Sequence, residues 1–272
     1  MRTPRTRFQS WVVGLAALFT AATGHATTGR DVLAEGKRLD DTSRQWTDRT
    51  QRMTLRIVSA GGSELTRRLT LVSRRYGGDE DKSLATFEGP PEVKGIGFLE
   101  WAHNGRDNEQ WLYLPEFRRT RRLASRGRDE AFVNSDFTYR DFEVIGKLFS
   151  WTESEAPSTL LRDEEIDGHD CHVIELRPQQ EGMPYRRLLI WVDVVKVVPR
   201  RLQFFTTDNA RPAKQLDLTD IRDIGPIPTP SRLEMRQLTS GSRTQVELEK
   251  VEYDTGVDDE RFTLRFLERG EF

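Results

Sequence analysis

Few residues in this sequence combine the types and the spacing that a metal site requires. The densest group of metal-ligand types is the run DGHDCH at residues 167–172. His, Cys and Asp bind zinc, but successive side chains of a strand point to opposite faces, which splits these ligands. The Asp-Gly pair that opens the run is typical of a hairpin turn. We therefore interpret the run as a turn followed by a strand that buries Cys171, and we expect no metal.

Nucleophilic catalysis has no local signal either. The sequence contains no G-x-S-x-G elbow, the motif that presents a nucleophilic serine. Three histidines follow residue 26, namely His103, His169 and His172, and no serine or acid near them in sequence suggests a triad. We expect a protein that is not an enzyme and that needs no cofactor.

A basic run is the more specific feature. Arg118, Arg119, Arg121 and Arg122 follow the apolar segment Trp111–Pro115. Arginine suits bidentate binding of phosphate or carboxylate, so we predict that these four residues contact a lipid head group or an acidic partner. The alternative is an outer face of solvated salt bridges.

Aromatic side chains are the candidates for a hydrophobic binding surface. Any single ring is more often part of an ordinary core, and that alternative stays open. The residues predicted to bind hydrophobic cargo are Trp101, Trp111, Tyr113, Phe137, Tyr139, Phe142 and Trp191.

Composition excludes several classes of protein. The 272 residues include 42 Lys plus Arg and 44 Asp plus Glu, for a net charge of −2. This balance argues against a general nucleic-acid binder, which would be basic. Aromatic residues make up 9% of the chain, so a disordered chain is also excluded.

The amino terminus resembles a secretory signal peptide. Three arginines among the first seven residues precede the apolar stretch Phe8–Ala22, and small residues stand before a predicted cleavage after Ala26. We expect residues 1–26 to be removed and residues 27–272 to form one domain in an extracytoplasmic space. The alternative is a retained membrane anchor. With Cys171 as the single cysteine, an internal disulfide is impossible.

The elements that position these side chains are mostly strands. Residues 28–41 are predicted to form a helix capped by Thr28. Period-two alternation then begins in residues 53–58 and continues in residues 65–71 after a Gly61-Gly62 turn. Eleven further segments are predicted to be strands: Ser83–Phe87, Gly97–Trp101, Glu109–Leu114, Phe117–Leu123, Leu160–Ile166, His172–Leu176, Arg187–Val194, Arg200–Thr206, Gln215–Ile221, Arg232–Leu238 and Thr244–Tyr253.

Turn signals separate many of these segments, which predicts a mainly β, single-domain sandwich or barrel. The predicted turns are Asn104-Gly105, Asp167-Gly168, Asp208-Asn209 and Gly241-Ser242. Residues 124–158 lack alternation, and within them we predict a short aromatic helix capped by Ser135-Asp136. Strands such as Leu188–Val192 are apolar on both faces, which fits either a packed core or one face that lines a cavity.

Several strings, in order along the chain, resemble the LolA-like outer-membrane lipoprotein-sorting family of Gram-negative bacteria. The branch most similar to this sequence is the one associated with inner-membrane exporters of the resistance-nodulation-division (RND) type. The strings are Ser83-Leu84, FEGPP at 87–91, VKGIGFL at 93–99, QWLYLP at 110–115 with Arg118 and Arg121-Arg122, and SDFTYRD at 135–141.

The resemblance implies a half-open antiparallel barrel of about eleven strands, with helices or loops covering a hydrophobic concave face. It also implies a monomeric periplasmic chaperone that moves a lipid or lipoprotein acyl chain between inner-membrane machinery and the outer membrane, with transient membrane contact. Two alternatives stay open. One is a docking module of an RND-type exporter, or an envelope sensor, that binds no cargo. The other is a lipid hydrolase in the same compartment.

Overall fold

The computed structural model describes residues 27–77, 80–103, 106–207, 211–270 and 272. Within this part of the chain there are three α-helices, α1 (Gly29–Asp41), α2 (Tyr139–Gly146) and α3 (Leu264–Arg269), and three short 3₁₀ helices at Ser125–Asp129, Phe132–Asn134 and Asp259–Phe262. Searching the described helices for one long and apolar enough to cross a membrane finds none.

The first helix begins where the sequence predicts. The Thr28 hydroxyl accepts a hydrogen bond from the Asp31 backbone N–H (3.2 Å), and the Asp31 carboxylate accepts one from the Thr28 N–H (2.8 Å). This reciprocal capping box satisfies two backbone donors that would otherwise lack partners. Val32 and Leu33 are buried on the inner side of the helix.

A single antiparallel sheet of thirteen strands makes up most of the described residues. The strands are β1 (Asp48–Val58), β2 (Glu64–Gly77), β3 (Glu80–Gly89), β4 (Gly97–Ala102), β5 (Glu109–Leu114), β6 (Arg119–Arg122), β7 (Ser158–Ile166), β8 (His169–Leu176), β9 (Arg187–Asp193), β10 (Pro199–Phe205), β11 (Lys214–Ile224), β12 (Ile227–Gln237) and β13 (Arg243–Tyr253). Their spatial order is β6-β5-β4-β3-β2-β1-β13-β12-β11-β10-β9-β8-β7.

The sheet is not closed, because β6 and β7 form its two edges. β1 lies in the middle and pairs with both β2 and β13. The mainly β, half-open antiparallel architecture is therefore confirmed. The strand number is thirteen rather than about eleven, because the first predicted pair joins the eleven later segments in one continuous sheet.

Three predicted hairpin turns join strands as expected: Gly61-Gly62, Asp167-Gly168 and Gly241-Ser242. Asp167 and Gly168 both have positive φ, at 51° and 77°, as a type I′ turn requires. The predicted turns Asn104-Gly105 and Asp208-Asn209 and the predicted signal peptide, residues 1–26, lie outside the described residues.

The prediction of a helix capped by Ser135-Asp136 is wrong about the cap. Helix α2 begins at Tyr139, and Thr138 is its N-cap. The Thr138 hydroxyl accepts from the Asp141 N–H (3.2 Å), and the Asp141 carboxylate accepts from the Thr138 N–H (2.7 Å). Asp141 stands three residues after Thr138, so this pair completes a capping box.

Strands that are apolar on both faces are explained by two layers on opposite sides of the sheet. The concave face packs against α1 and against residues 123–157, a segment that we call the cover. On the convex face, the carboxyl-terminal residues 259–270 and 272 pack over β2 to β5. In β5, Leu112 therefore belongs to the concave core, whereas Trp111 and Tyr113 belong to the convex cluster.

Candidate functional site

A cavity of about 980 Å³ lies between the concave face of the sheet and the cover. Side chains from β1 to β4 and from β10 to β13 form its floor, and the cover and the end of α1 form its roof. Its apolar lining is Met53, Leu55, Leu69, Leu71, Ala85, Phe98, Phe132, Phe137, Phe142, Ile145, Leu148, Phe149, Trp151, Leu218, Ile227, Leu233, Val246 and Leu248.

The apolar floor follows from strand periodicity. Alternate residues of a strand share a face, so Met53 and Leu55 of β1 point into the cavity beside Leu69 and Leu71 of β2. Met53 lies directly opposite Leu69 in the register of the two strands. Cross-strand pairs of this kind make a continuous apolar wall.

The roof is built from aromatic rings of the cover. Phe137 and Phe142 stack with their ring centres 5.7 Å apart, and Phe132 meets Phe142 edge to face at 4.9 Å. Phe149 lies against Gly36 of α1, where a Cβ atom would come within 2.6 Å of the ring. Glycine at position 36 is therefore needed for this part of the roof to approach the helix.

Asp136 attaches the beginning of the cover to the β12–β13 hairpin. Its carboxylate accepts hydrogen bonds from the hydroxyls of Thr244 (2.7 Å) and Ser242 (2.5 Å), and its N–H donates to the Thr244 hydroxyl (2.9 Å). These bonds are buried or half-buried, so breaking them would leave polar groups unsatisfied.

Asp141 attaches helix α2 to the other half of the sheet. Its carboxylate accepts a hydrogen bond from the Tyr185 hydroxyl (2.5 Å) and pairs with the Lys214 ammonium of β11 (2.8 Å). Both Asp141 and Lys214 are buried. The string SDFTYRD at residues 135–141 thus supplies the polar contacts that fix the cover over the cavity.

A second buried ion cluster stabilises the cover from within. Arg140 Nη1 lies 3.1 Å from Glu143 Oε2, and Arg140 Nε lies 3.1 Å from Asp129 Oδ1. Arg128 lies 3.5 Å from the same Glu143 oxygen. Because Glu143 also lines the cavity, these pairs hold the roof together while keeping a charged residue matched with partners.

One end of the cavity is polar. Arg49 continues the inward row of Met53 on β1, and Arg75 continues the inward row of Leu71 on β2. The guanidinium carbons of Arg49 and Arg75 lie 4.7 and 4.2 Å from the ring centre of Trp46, within the range of cation–π attraction. The concave surface therefore changes from apolar to cationic along the strands.

Glu100 of β4 also faces the cavity. Its Oε1 accepts hydrogen bonds from Gln110 Nε2 (2.7 Å) and Asn108 Nδ2 (3.1 Å). Burial raises the pKa of Glu100, and the nearby Glu143 adds to that increase. Burial therefore acts against the charged form of this carboxyl, whereas the two amide donors support it.

Of the seven aromatic residues predicted to bind cargo, Phe137 and Phe142 line the cavity. Tyr139 is buried behind them, with its ring centre 4.9 Å from Phe98 and 5.5 Å from Phe132. Burial raises the pKa of Tyr139 to about 12, so the phenol stays neutral. Its position is that of a supporting core residue.

Three more of these aromatic residues lie on the convex face, away from the cavity. The Trp101 indole N–H donates to the Phe262 carbonyl (2.9 Å), and its ring meets Trp111 at 4.8 Å. Tyr113 meets Phe272 at 5.9 Å. The structure does not bring Trp101, Trp111 and Tyr113 to the same site as Phe137, because the carboxyl-terminal residues cover them.

Trp191 also faces the convex side, in a cluster with Ile166, Cys171 and Val173. Burial raises the pKa of the Cys171 thiol to about 11. The prediction of a turn followed by a strand that buries Cys171 is confirmed. A search of the described residues finds no group of three or more His, Cys, Asp or Glu side chains that could hold a metal ion.

The predicted basic run lies at the β6 edge, outside the lining of the cavity. All four of its residues are exposed: Arg118, Arg119, Arg121 and Arg122. Arg121 lies 3.4 Å from Glu130, and Arg122 lies 3.4 Å from Glu109. Their contacts are those of a solvated edge with exposed positive charge.

Sequence reasoning missed the polar end of the cavity. The predicted first strand begins at Met53, whereas β1 begins at Asp48. Arg49 therefore lies outside the predicted strand, and its inward position is not predicted. The alternation Arg49, Gln51, Met53, Leu55 carries the signal, since these residues share one face.

Comparison with solved structures defines the class of fold. A domain from Vibrio parahaemolyticus, whose name refers to outer membrane lipoprotein sorting, is 26% identical, with a TM-score of 0.80 over 89% of this chain and 98% of that chain. A DUF1329 family protein from Desulfovibrio piger is 25% identical, with a TM-score of 0.80 over 88% and 97% of the two chains. A LolA superfamily protein from Nitrosomonas europaea has the same fold at 18% identity, with a TM-score of 0.64 over 89% and 100%.

The half-open sheet with its cover is therefore the LolA-like fold, and the resemblance seen in the sequence is confirmed. A family model with the description "Uncharacterized protein" matches residues 79–269, and the chain belongs to that family. No curated protein matches the chain. The association with an RND-type exporter stays a prediction.

Proposed function

We propose that this protein is a periplasmic carrier that binds the acyl chain of a lipid or lipoprotein and moves it between the inner and outer membranes. The observation that carries the proposal is the cavity of about 980 Å³ with an apolar floor and an aromatic roof. An acyl chain exposed to water costs about 0.8 kcal/mol per methylene group. A carrier removes that cost by enclosing the chain.

The construction of the roof supports reversible loading. The cover is a separate layer whose attachments to the sheet include the polar contacts of Asp136 and Asp141. Opening the cover breaks these contacts and its apolar packing but leaves the hydrogen bonds between strands intact, so it costs less than unfolding the sheet. A chain can then enter and leave without loss of the fold.

The periplasmic location is supported by the signal peptide predicted at residues 1–26 and by the lipoprotein-sorting name of the Vibrio parahaemolyticus domain. The exposed β6 arginines, including Arg121 and Arg122, are proposed to contact an inner-membrane donor such as an RND-type exporter. Exposed positive charge of this kind steers encounters with acidic partners.

Two measurements test the carrier proposal. Lipid extraction followed by mass spectrometry of the purified protein is expected to recover an acylated molecule. A fluorescent acyl probe is expected to bind wild type, and binding is expected to weaken at least about tenfold in Leu71→Trp, since two lost methylene contacts already cost that much. Leu71 lines the cavity floor, so the indole would occupy the space of the chain.

The matched control is Leu65→Trp on the same strand. Leu65 is 46% exposed and lies outside the cavity lining, so its indole should leave probe binding unchanged. Thermal unfolding of both variants checks that the fold is kept. A protein that carries no lipid and takes up no probe would instead favour the docking module, whose test is crosslinking to an inner-membrane partner.

A further inference from the structure

The polar end of the cavity carries a second inference, which rests on the proposed function and concerns the kind of molecule bound. The floor is apolar at Leu55 and Leu69 and becomes polar toward Arg49 and Arg75 on the same two strands. A surface with this gradient matches an amphiphile, with a chain at one end and a polar group at the other. The charge at the polar end then indicates which polar group.

Arg49 has one donor atom without an acceptor, although Tyr253 and Asp81 also act on its side chain. Its Nε is shielded from solvent and has no hydrogen-bond partner among the described residues. In the strand register Arg49 lies opposite Ser73 and Tyr253, side chains with hydroxyl groups and no negative charge. A buried donor without an acceptor is costly, so an anion arriving here would gain a hydrogen bond as well as an opposite charge.

Trp46 brings a second cation to the same place. Arg75 packs on the same indole ring as Arg49, and its Nη1 donates to the Asp40 carbonyl (3.3 Å). Burial lowers the pKa of Arg49, and the neighbouring Arg75 adds to this effect. Two like charges at one ring are stabilised when an anion binds between them.

Carboxylates at this end of the cavity offset part of the positive charge of the arginines. Asp41 pairs with Lys37, with both carboxylate oxygens 2.7 Å from Nζ. Asp254 accepts a hydrogen bond from the Thr47 N–H (2.6 Å). These two acids are therefore matched by other groups.

The remaining two carboxylates, Asp40 and Asp81, act directly on the arginines. Burial raises the pKa of Asp40, whereas the charges of Arg75 and Arg44 act to lower it. The nearest oxygen of Asp81 is 4.0 Å from Arg75 Nε, at the limit of an ion pair. An anion that binds Arg49 and Arg75 would therefore compete with Asp40 and Asp81 for their positive charge.

We propose that Arg49 and Arg75, placed by Trp46, bind the phosphate or carboxylate of an acylated amphiphile whose chain lies over the apolar floor. Arginine recognises both anions through paired N–H donors. The cargo is consequently an anionic lipid or an acyl compound with a negative group near its chain. This assigns head-group recognition to the cavity and leaves the β6 arginines for partner contact.

The test compares two probes that share one acyl chain, 1-oleoyl lysophosphatidic acid and 1-oleoyl glycerol, by displacement of a fluorescent acyl probe. Wild type is expected to bind the phosphate compound about tenfold more tightly, the value of one charged hydrogen bond. Arg49→Gln and Arg75→Gln are expected to lose that preference while keeping their affinity for oleoyl glycerol. Arg49→Lys, which keeps the charge, should retain part of it.

Arg52→Gln is the matched control, because Arg52 is an exposed residue of the same strand as Arg49 and lies outside the cavity lining. Equal affinity of wild type for both probes, or a preference unaffected by Arg49→Gln and Arg75→Gln, would overturn the anion site and leave the carrier intact. Binding of neither probe would reject the carrier itself. If inorganic phosphate at the same concentration displaces the fluorescent probe equally well, the site binds free anions. The proposal of an amphiphilic ligand is then overturned. Arg75→Gln keeps the test available if Arg49→Gln fails to fold.

Discussion

Lys214 of β11 and Asp141 of α2 form a buried ion pair, with 2.8 Å between Nζ and Oδ2, that joins the cover to the sheet. Removing one partner of a buried pair leaves the other charge uncompensated, which typically costs about 3–5 kcal/mol. We expect Lys214→Met to lower the free energy of unfolding by about 3 kcal/mol, since Tyr185 still donates to Asp141. Urea denaturation measures this change.

The control for this prediction is an exposed ion pair of the same chemical type. Lys196 Nζ lies 2.6 Å from Asp223, and both side chains are partly exposed. Lys196→Met should cost less than about 1 kcal/mol, because exposed pairs contribute little. Equal losses in the two variants would show that the Lys214 pair does not stabilise the cover.

Glu100 gives a prediction about pH. Burial raises the pKa of its carboxyl in the folded protein, so the folded state keeps this proton to a higher pH than the unfolded chain does. Above about pH 4.3, where an unperturbed glutamate ionises, the unfolded state loses its proton first and the folded state becomes relatively less stable. We therefore expect Glu100→Gln to be more stable than wild type at pH 7.

The stabilisation by Glu100→Gln should shrink as pH falls toward 4, because both states of wild type are then protonated. Glutamine keeps an oxygen that can accept from Gln110 and Asn108. Glu116→Gln, at an exposed residue, is the matched control. Thermal unfolding between pH 4 and pH 8 provides the measurement, and a stabilisation independent of pH would contradict the buried carboxyl as its source.

The strands of this fold are readable from the sequence because alternation is a local property. Met53, Leu55 and Ile57 alternate with polar residues, and β1 contains all three. The helix cap at Thr28 is equally local, since its partner Asp31 is three residues away. Features of this range need no knowledge of the tertiary structure.

The face that each strand turns toward the cavity is not readable in the same way. Alternation separates Trp111 from Leu112, but it does not say which of them is covered by the carboxyl-terminal residues 259–270 and 272. That contact joins parts of the chain more than 140 residues apart. Five of the seven predicted cargo aromatics lie outside the cavity lining for reasons of this long-range kind, whereas Phe137 and Phe142 lie in it.

The polar end of the cavity could not be predicted from the sequence for a different reason. Arg49 and Arg75 are separated in sequence, and each is one arginine among many in a chain that is 32% charged. Trp46 brings them together only after β1 and β2 pair. A charged site assembled from two strands and a loop carries no local motif.

Acyl binding in the cavity is tested most directly by the dependence of affinity on chain length. Titration calorimetry of the protein with lysophosphatidic acids of increasing saturated chain length would measure it. Each added methylene group is expected to tighten binding about fourfold, corresponding to about 0.8 kcal/mol, until the apolar floor is filled and the affinity levels off. Affinity that does not change with chain length would contradict enclosure of the chain in the cavity.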